Sequence, residues 1–160
     1  NKGTWWEHKP LHEAAQAGNV AIVELLLKHG AKIDAAESLG TTALGYATQR
    51  DRTEVAMLLI REGADIRKHG SGDPPLIYFA SNGNLEMVKV LVEHGADVNS
   101  GHYDTPLGAA AAYGHIPVAE YLLAKGANIN GRGVTTPLKA ALIFHQDAMA
   151  EFLRAHGAKE

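Results

Sequence analysis

A leucine near a proline or threonine recurs at Leu11, Leu44, Leu76, Leu107 and Leu138, and a Gly-Ala pair begins 19 residues after each, at Gly30, Gly63, Gly95, Gly126 and Gly157. Successive leucines are 33, 32, 31 and 31 residues apart, so all the length variation falls between one Gly-Ala pair and the next leucine. Packed helices cannot gain or lose a residue without rotating their buried face, whereas exposed loops tolerate it. The constant stretch is therefore expected to be helical and the variable one a loop, repeated five times along the chain.

Local signals agree. Thr42, Thr105 and Thr136 stand where an N-cap hydroxyl would accept from the first free N–H groups, and Pro10, Pro75, Pro106 and Pro137 occupy the first helical turn. Small residues (Ala14, Ala15, Ala47, Ala80, Ala110, Ala111, Ala141) let neighbouring first helices approach closely. Gly18, Gly83 and Gly114 supply the left-handed turn that ends three of these helices. Asp51 and His145 replace glycine in the other two, which predicts less regular turns there. A second helix follows, with apolar residues at helical spacing such as Ile22, Val23, Leu26 and Leu27, and the Gly-Ala glycine as its C-cap.

The strings KPLHEAAQAGNVAIVELLLKHGAKID, PPLIYFASNGNLEMVKVLVEHGADVN and TPLGAAAAYGHIPVAEYLLAKGANIN resemble the ankyrin repeat, whose hallmark is T-P-L-H-x-A. Only His12 keeps the usual histidine after the leucine; Gly45, Ile77, Gly108 and Lys139 replace it. The resemblance covers nearly the whole chain and implies an all-α solenoid of helix-turn-helix units joined by β-hairpin-like fingers. It implies one array over 1–160, with repeats at about 3–35, 36–67, 68–99, 100–130 and 131–160. The fingers are then Lys32–Thr41, Asp65–Asp73, Asp97–Asp104 and Asn128–Thr135, the last two shorter than the family unit.

In the family, first helices and fingers line a concave face that grips partner proteins. The residues two, five and six places after each marker leucine fall on that face, and they give Tyr46, Gln49, Arg50, Tyr78, Asn82 and Tyr113 as candidate contacts, joined by Leu39 and Tyr103 at finger tips. Tyrosine and arginine carry many interface hot spots because they bury area while satisfying a polar tip. Packing between repeats is an equal reading for Tyr46 and Tyr78. Ile143 and Phe144 are assigned to the core instead. Trp5 and Trp6 read either as cover for the flank of the first repeat or as an aromatic anchor.

Reactive chemistry finds little support. The nine histidines have no shared-face ligand spacing, and His29, His94 and His156 share one slot where a side chain can reach the last carbonyls of helix 2. His69 and His102 in successive fingers read as solvated. There is no cysteine and no nucleophile, phosphate-loop or paired-carboxylate signature, so neither catalysis, cofactor nor metal is expected. A formal charge of -3 without a basic cluster argues against nucleic acid, and the apolar runs are too short for a membrane span. Cytoplasmic and exported locations both fit.

Leu27, Ile60, Val92 and Leu123 are followed at the same register by Arg154, which suggests a polar C-terminal cap and a monomer. The main expectation is a protein-protein interaction module. Its rivals are the substrate-capturing or regulatory domain of a larger enzyme or effector, a structural rod, and a substrate for hydroxylation at Asn99 or Asn130, which match the modified position of some animal ankyrin repeats.

Overall fold

The computed structural model describes residues 9–70, 72–101, 104–131 and 135–159. Trp5, Trp6, His102 and Tyr103 lie outside the described residues. Within them the chain is helical, with no strand: α1 (Lys9–Ala17), α2 (Val20–Lys28), α3 (Ala43–Gln49), α4 (Thr53–Arg61), α5 (Pro75–Ser81), α6 (Leu85–Glu93), α7 (Pro106–Ala112), α8 (Ile116–Ala124), α9 (Pro137–Ile143) and α10 (Asp147–Ala155). Each marker leucine lies in the first turns of an odd-numbered helix, and each Gly-Ala pair closes an even-numbered one. The helices thus form five helix-turn-helix pairs, the all-α architecture the spacing implies.

The caps are where the sequence puts them. Thr42, Thr105 and Thr136 accept from the backbone N–H groups of Gly45, Gly108 and Lys139 at 3.3, 3.0 and 3.2 Å. At the end of α2, Gly30 donates to Leu27 and Ala31 to Leu26, the paired bonds that satisfy the last carbonyls when glycine takes the left-handed conformation. His29, His94 and His156 each hold a carbonyl four residues back through Nδ1, at 2.8, 2.7 and 2.8 Å.

Asp51 and His145 do take the left-handed region, at φ 54° and 55°, yet their turns are as regular as the glycine ones. Asp51 donates to Thr48 and Arg52 to Ala47, and His145 donates to Leu142 and Gln146 to Ala141, the same pairing that Gly18 and Asn19 make. The expected irregularity is therefore corrected. The turn geometry is fixed by the two flanking helices, and the non-glycine residue bears the steric cost itself.

The helices fall into two compact units, Asn1–Pro75 and Leu76–Glu160. In the first, α1 packs on α2 and α3, α3 on α4, and α2 on α4; in the second, α7 packs on α8 and α9, α9 on α10, and α6 on α8. The first unit buries Leu11, Val23, Leu44, Val55, Leu59 and Ile60, and the second Phe79, Met87, Leu91, Leu107, Leu122, Leu138 and Met149.

At two of the four positions where the histidine after the marker leucine is replaced, the reason is steric. A Cβ on Gly45 would collide with the His69 carbonyl, and one on Gly108 with the Asp104 carboxylate. Between pairs, polar side chains tie consecutive fingers together: Asp34, Asn99 and Asn130 accept through Oδ1 from the backbone N–H of Asp65, Asn128 and Lys159 at 2.9, 2.7 and 2.8 Å.

Candidate functional site

The candidate contacts separate by how firmly the fold holds them. Tyr46 is half-buried on α3. Its hydroxyl donates to Glu37 Oε2 at 3.0 Å, and its ring meets the buried His12 edge-on at 5.7 Å. Glu37 Oε1 lies 3.4 Å from His12 Nδ1, and His12 Nε2 lies 2.9 Å from the Ala35 carbonyl. Hydrogen bonding to the carboxylate, with burial and its charge behind it, raises the Tyr46 phenol above its usual range. The side chain thus braces the finger of its own unit and offers only part of its surface.

Gln49 and Arg50, by contrast, are exposed at the end of α3. Arg50 caps that helix through its backbone, leaving the guanidinium outside the helix ladder. Leu39 is 81% exposed in a single 3-10 turn at Ser38–Gly40 and takes a left-handed φ of 69°. The turn is closed by Gly40 donating to Glu37 and Glu37 to Thr41. A large apolar side chain in a conformation that usually selects glycine is held there at a steric cost.

In the second unit Tyr78 is half-buried, edge-on to Phe79 at 5.3 Å, and Asn82 is exposed. Tyr113 is 56% exposed at the end of α7. It stacks on His115 at 6.4 Å and lies 6.1 Å from Phe144. His115 is fixed by its Nε2, 2.8 Å from the Ser81 carbonyl.

The assignment of Ile143 and Phe144 to the core is corrected: they are 63% and 52% exposed, and Leu142 beside them 40%. With Tyr113 they are the exposed large apolar side chains among the described residues of this unit. The signal was in the register, because Ile143 and Phe144 stand five and six places after Leu138, the positions that selected Gln49, Arg50, Asn82 and Tyr113. Hydrophobicity alone does not imply burial, since large apolar side chains at a surface register mark interaction sites as readily.

His69 also departs from the solvated reading, since its Nδ1 is buried without a hydrogen-bond partner among the described residues. Asn99 is engaged at both ends of its carboxamide, accepting from Asn128 and donating to the Gly126 carbonyl at 3.2 Å. The described residues contain no group of three or more histidine or acidic side chains placed to hold a metal ion. No helix among them is long and apolar enough to cross a membrane.

A sequence model for three-copy ankyrin repeats matches residues 1–69 and 63–133. Ankyrin repeat protein nuc-2 of Neurospora crassa is 47% identical over 96 residues, covering 58% of this chain and 9% of its own length. Ankyrin repeat and SOCS box protein 11 of Danio rerio is 40% identical over 91 residues, covering 57% of this chain and 31% of its own length. A putative ankyrin repeat protein of Rickettsia bellii is 35% identical over 102 residues, which make up 60% of it. The chain thus matches less than two thirds of each of these relatives. Repeats of this kind generally serve as modules that bind other proteins, and this chain belongs to the ankyrin repeat family.

Proposed function

We propose that this chain holds a partner protein on the surface formed by its first helices and fingers, the concave face of the family, and that it catalyses nothing itself. The observation that carries the reading is the exposed Tyr113–Phe144 pair with Ile143, at the register that also exposes Gln49, Arg50 and Asn82. An aromatic side chain held by a stacked neighbour, as Tyr113 is by His115, binds with little ordering cost, and an exposed arginine offers a directional polar contact. Leu39, exposed at a finger tip of the first unit, and the half-buried Tyr46 and Tyr78 are further candidate contacts. The reading treats residues 1–160 as one monomeric array without nucleic acid as a ligand.

The test is affinity capture from the source organism's extract with the intact chain and with a Tyr113→Ala/Phe144→Ala variant whose helicity and melting are unchanged. Proteins retained only by the intact chain support the reading. Identical retention by both, or retention lost only when α2 or α4 surface residues are changed, moves the site off the first helices. A larger enzyme or effector of which this is the capturing domain remains the alternative, favoured by the small share of the relatives' length that the match covers.

A further inference from the structure

Ile22 and Leu25 are 45% and 55% exposed on α2, whereas the residues in register with them are covered. Eleven places after the marker leucine, Val55, Met87, Val118 and Met149 are all at most 1% exposed. Fourteen places after it, Leu58, Val90, Tyr121 and Phe152 are half-buried. Fifteen places after it, Leu59, Leu91, Leu122 and Leu153 are 0% exposed, while Leu26 is only half-buried. Among the described residues, the first pair therefore carries the apolar stripe of the others without their cover.

What supplies the cover is visible where α2 packs on α4. Leu27, sixteen places after Leu11, lines one cleft with Leu58, fourteen places after Leu44. There the fourteenth-place residue of one helix pair is faced by the sixteenth-place residue of the pair before it, and Leu25 has no such counterpart among the described residues.

We propose that the α2 face of Ile22, Leu25 and Leu26 is a docking surface for a further ankyrin-type helix pair, supplied by polypeptide N-terminal to this sequence. That pair's second helix sets a leucine, isoleucine or valine against Leu25. A terminal repeat facing water needs a polar outer face, and here Ala21 stands where Glu54 and Glu86 stand in the next two pairs. The relatives carry ample additional polypeptide, since the matched stretch is 9%, 31% and 4% of three of them.

A second copy docking end to end fits poorly. Leu142, 40% exposed, would offer an apolar match among first helices. Among second helices, however, the sixteenth-place residue of the fifth pair is the exposed Arg154, whose charge would be pressed onto Ile22 and Leu25. Trp5 and Trp6 share the register of Ser38 and Leu39, which belong to a finger and not to a second helix.

The chain has no cysteine, so Ile22→Cys introduces a unique thiol whose alkylation rate reports cover. The rate is measured in this chain and in the same chain carrying its natural upstream stretch, any cysteine there changed to serine, with Glu24→Cys as the exposed reference. The thiol at 22 is expected to react about as fast as the one at 24 in the shorter chain, and about tenfold or more slower in the longer one, while the reference is unchanged. Equal rates in the two lengths overturn the proposal, as does an upstream stretch lacking a marker leucine and a Gly-Ala pair in this spacing. Slow labelling of the shorter chain that Trp5→Ala/Trp6→Ala relieves, or that dilution relieves, also overturns it, assigning the face to the tryptophans or to a second copy.

Discussion

Replacing His145 by glycine should stabilise the protein, although glycine in a helical protein usually does the opposite. His145 is exposed and sits at φ 55° in the turn between α9 and α10. A side chain in the left-handed region costs about 1–2 kcal/mol through contact of its Cβ with the backbone. Glycine removes that strain but gives the unfolded chain more freedom, a loss of about 0.4–1 kcal/mol. The turn's two hydrogen bonds, His145 to Leu142 and Gln146 to Ala141, are backbone bonds that glycine keeps. The net gain is about 0.5–1 kcal/mol, or a melting point higher by about 1–4 °C for a chain of this size. Asp51→Gly should give less, because aspartate tolerates this conformation better than histidine. Urea unfolding followed by circular dichroism measures both, with Glu151→Gly in the exposed middle of α10 as the control, expected to lose about 1 kcal/mol. A His145→Gly variant no more stable than the parent, at unchanged slope, would refute the claim that the turn is strained.

Thr105, 5% exposed, caps α7 through Gly108, so Thr105→Ala should cost about 1 kcal/mol in the same urea assay; an unchanged midpoint would show the cap to be idle. Asp65 is held at about 2, below its usual 3.8, chiefly by the Arg67 side chain that hydrogen-bonds it. Because the folded value is the lower one, this contribution is complete above pH 3.8 and is lost as pH falls through about 2. An NMR titration of the Asp65 carboxyl should show the low midpoint, and Arg67→Ala should return it towards 3.8. Tyr46 should ionise above its usual range in an ultraviolet titration and do so at lower pH in Glu37→Gln, since Glu37 is the leading cause of its shift.

The helix pairs were legible because they are fixed by chemistry close in sequence. A threonine that caps its own helix and a glycine that ends one act over four or five residues, and five registered copies repeat the message. The two irregular turns expected at Asp51 and His145 show the limit of that reading. Residue preference measures the cost of a conformation, while the flanking helices decide whether it is adopted. Gly45 and Gly108 are a related case, since the missing side chains answer to His69 and Asp104 in the fingers, which spacing alone could not locate.

The surface was less legible because exposure depends on neighbours outside the local pattern. Register separates Arg50 and Asn82 from the core, yet residue type alone places Ile143 and Phe144, at the same register, inside it, because residue type carries no information about what stands next to a helix pair. Ile22 makes the same point in reverse. It shares its place with Val55, Met87, Val118 and Met149, all buried, and its own exposure follows from what stands next to α2, not from anything in α2. In a repeat protein the internal positions can therefore be read from one unit, but each end requires knowledge of its neighbour. The residues that look anomalous at the ends are accordingly the ones that reveal what docks there.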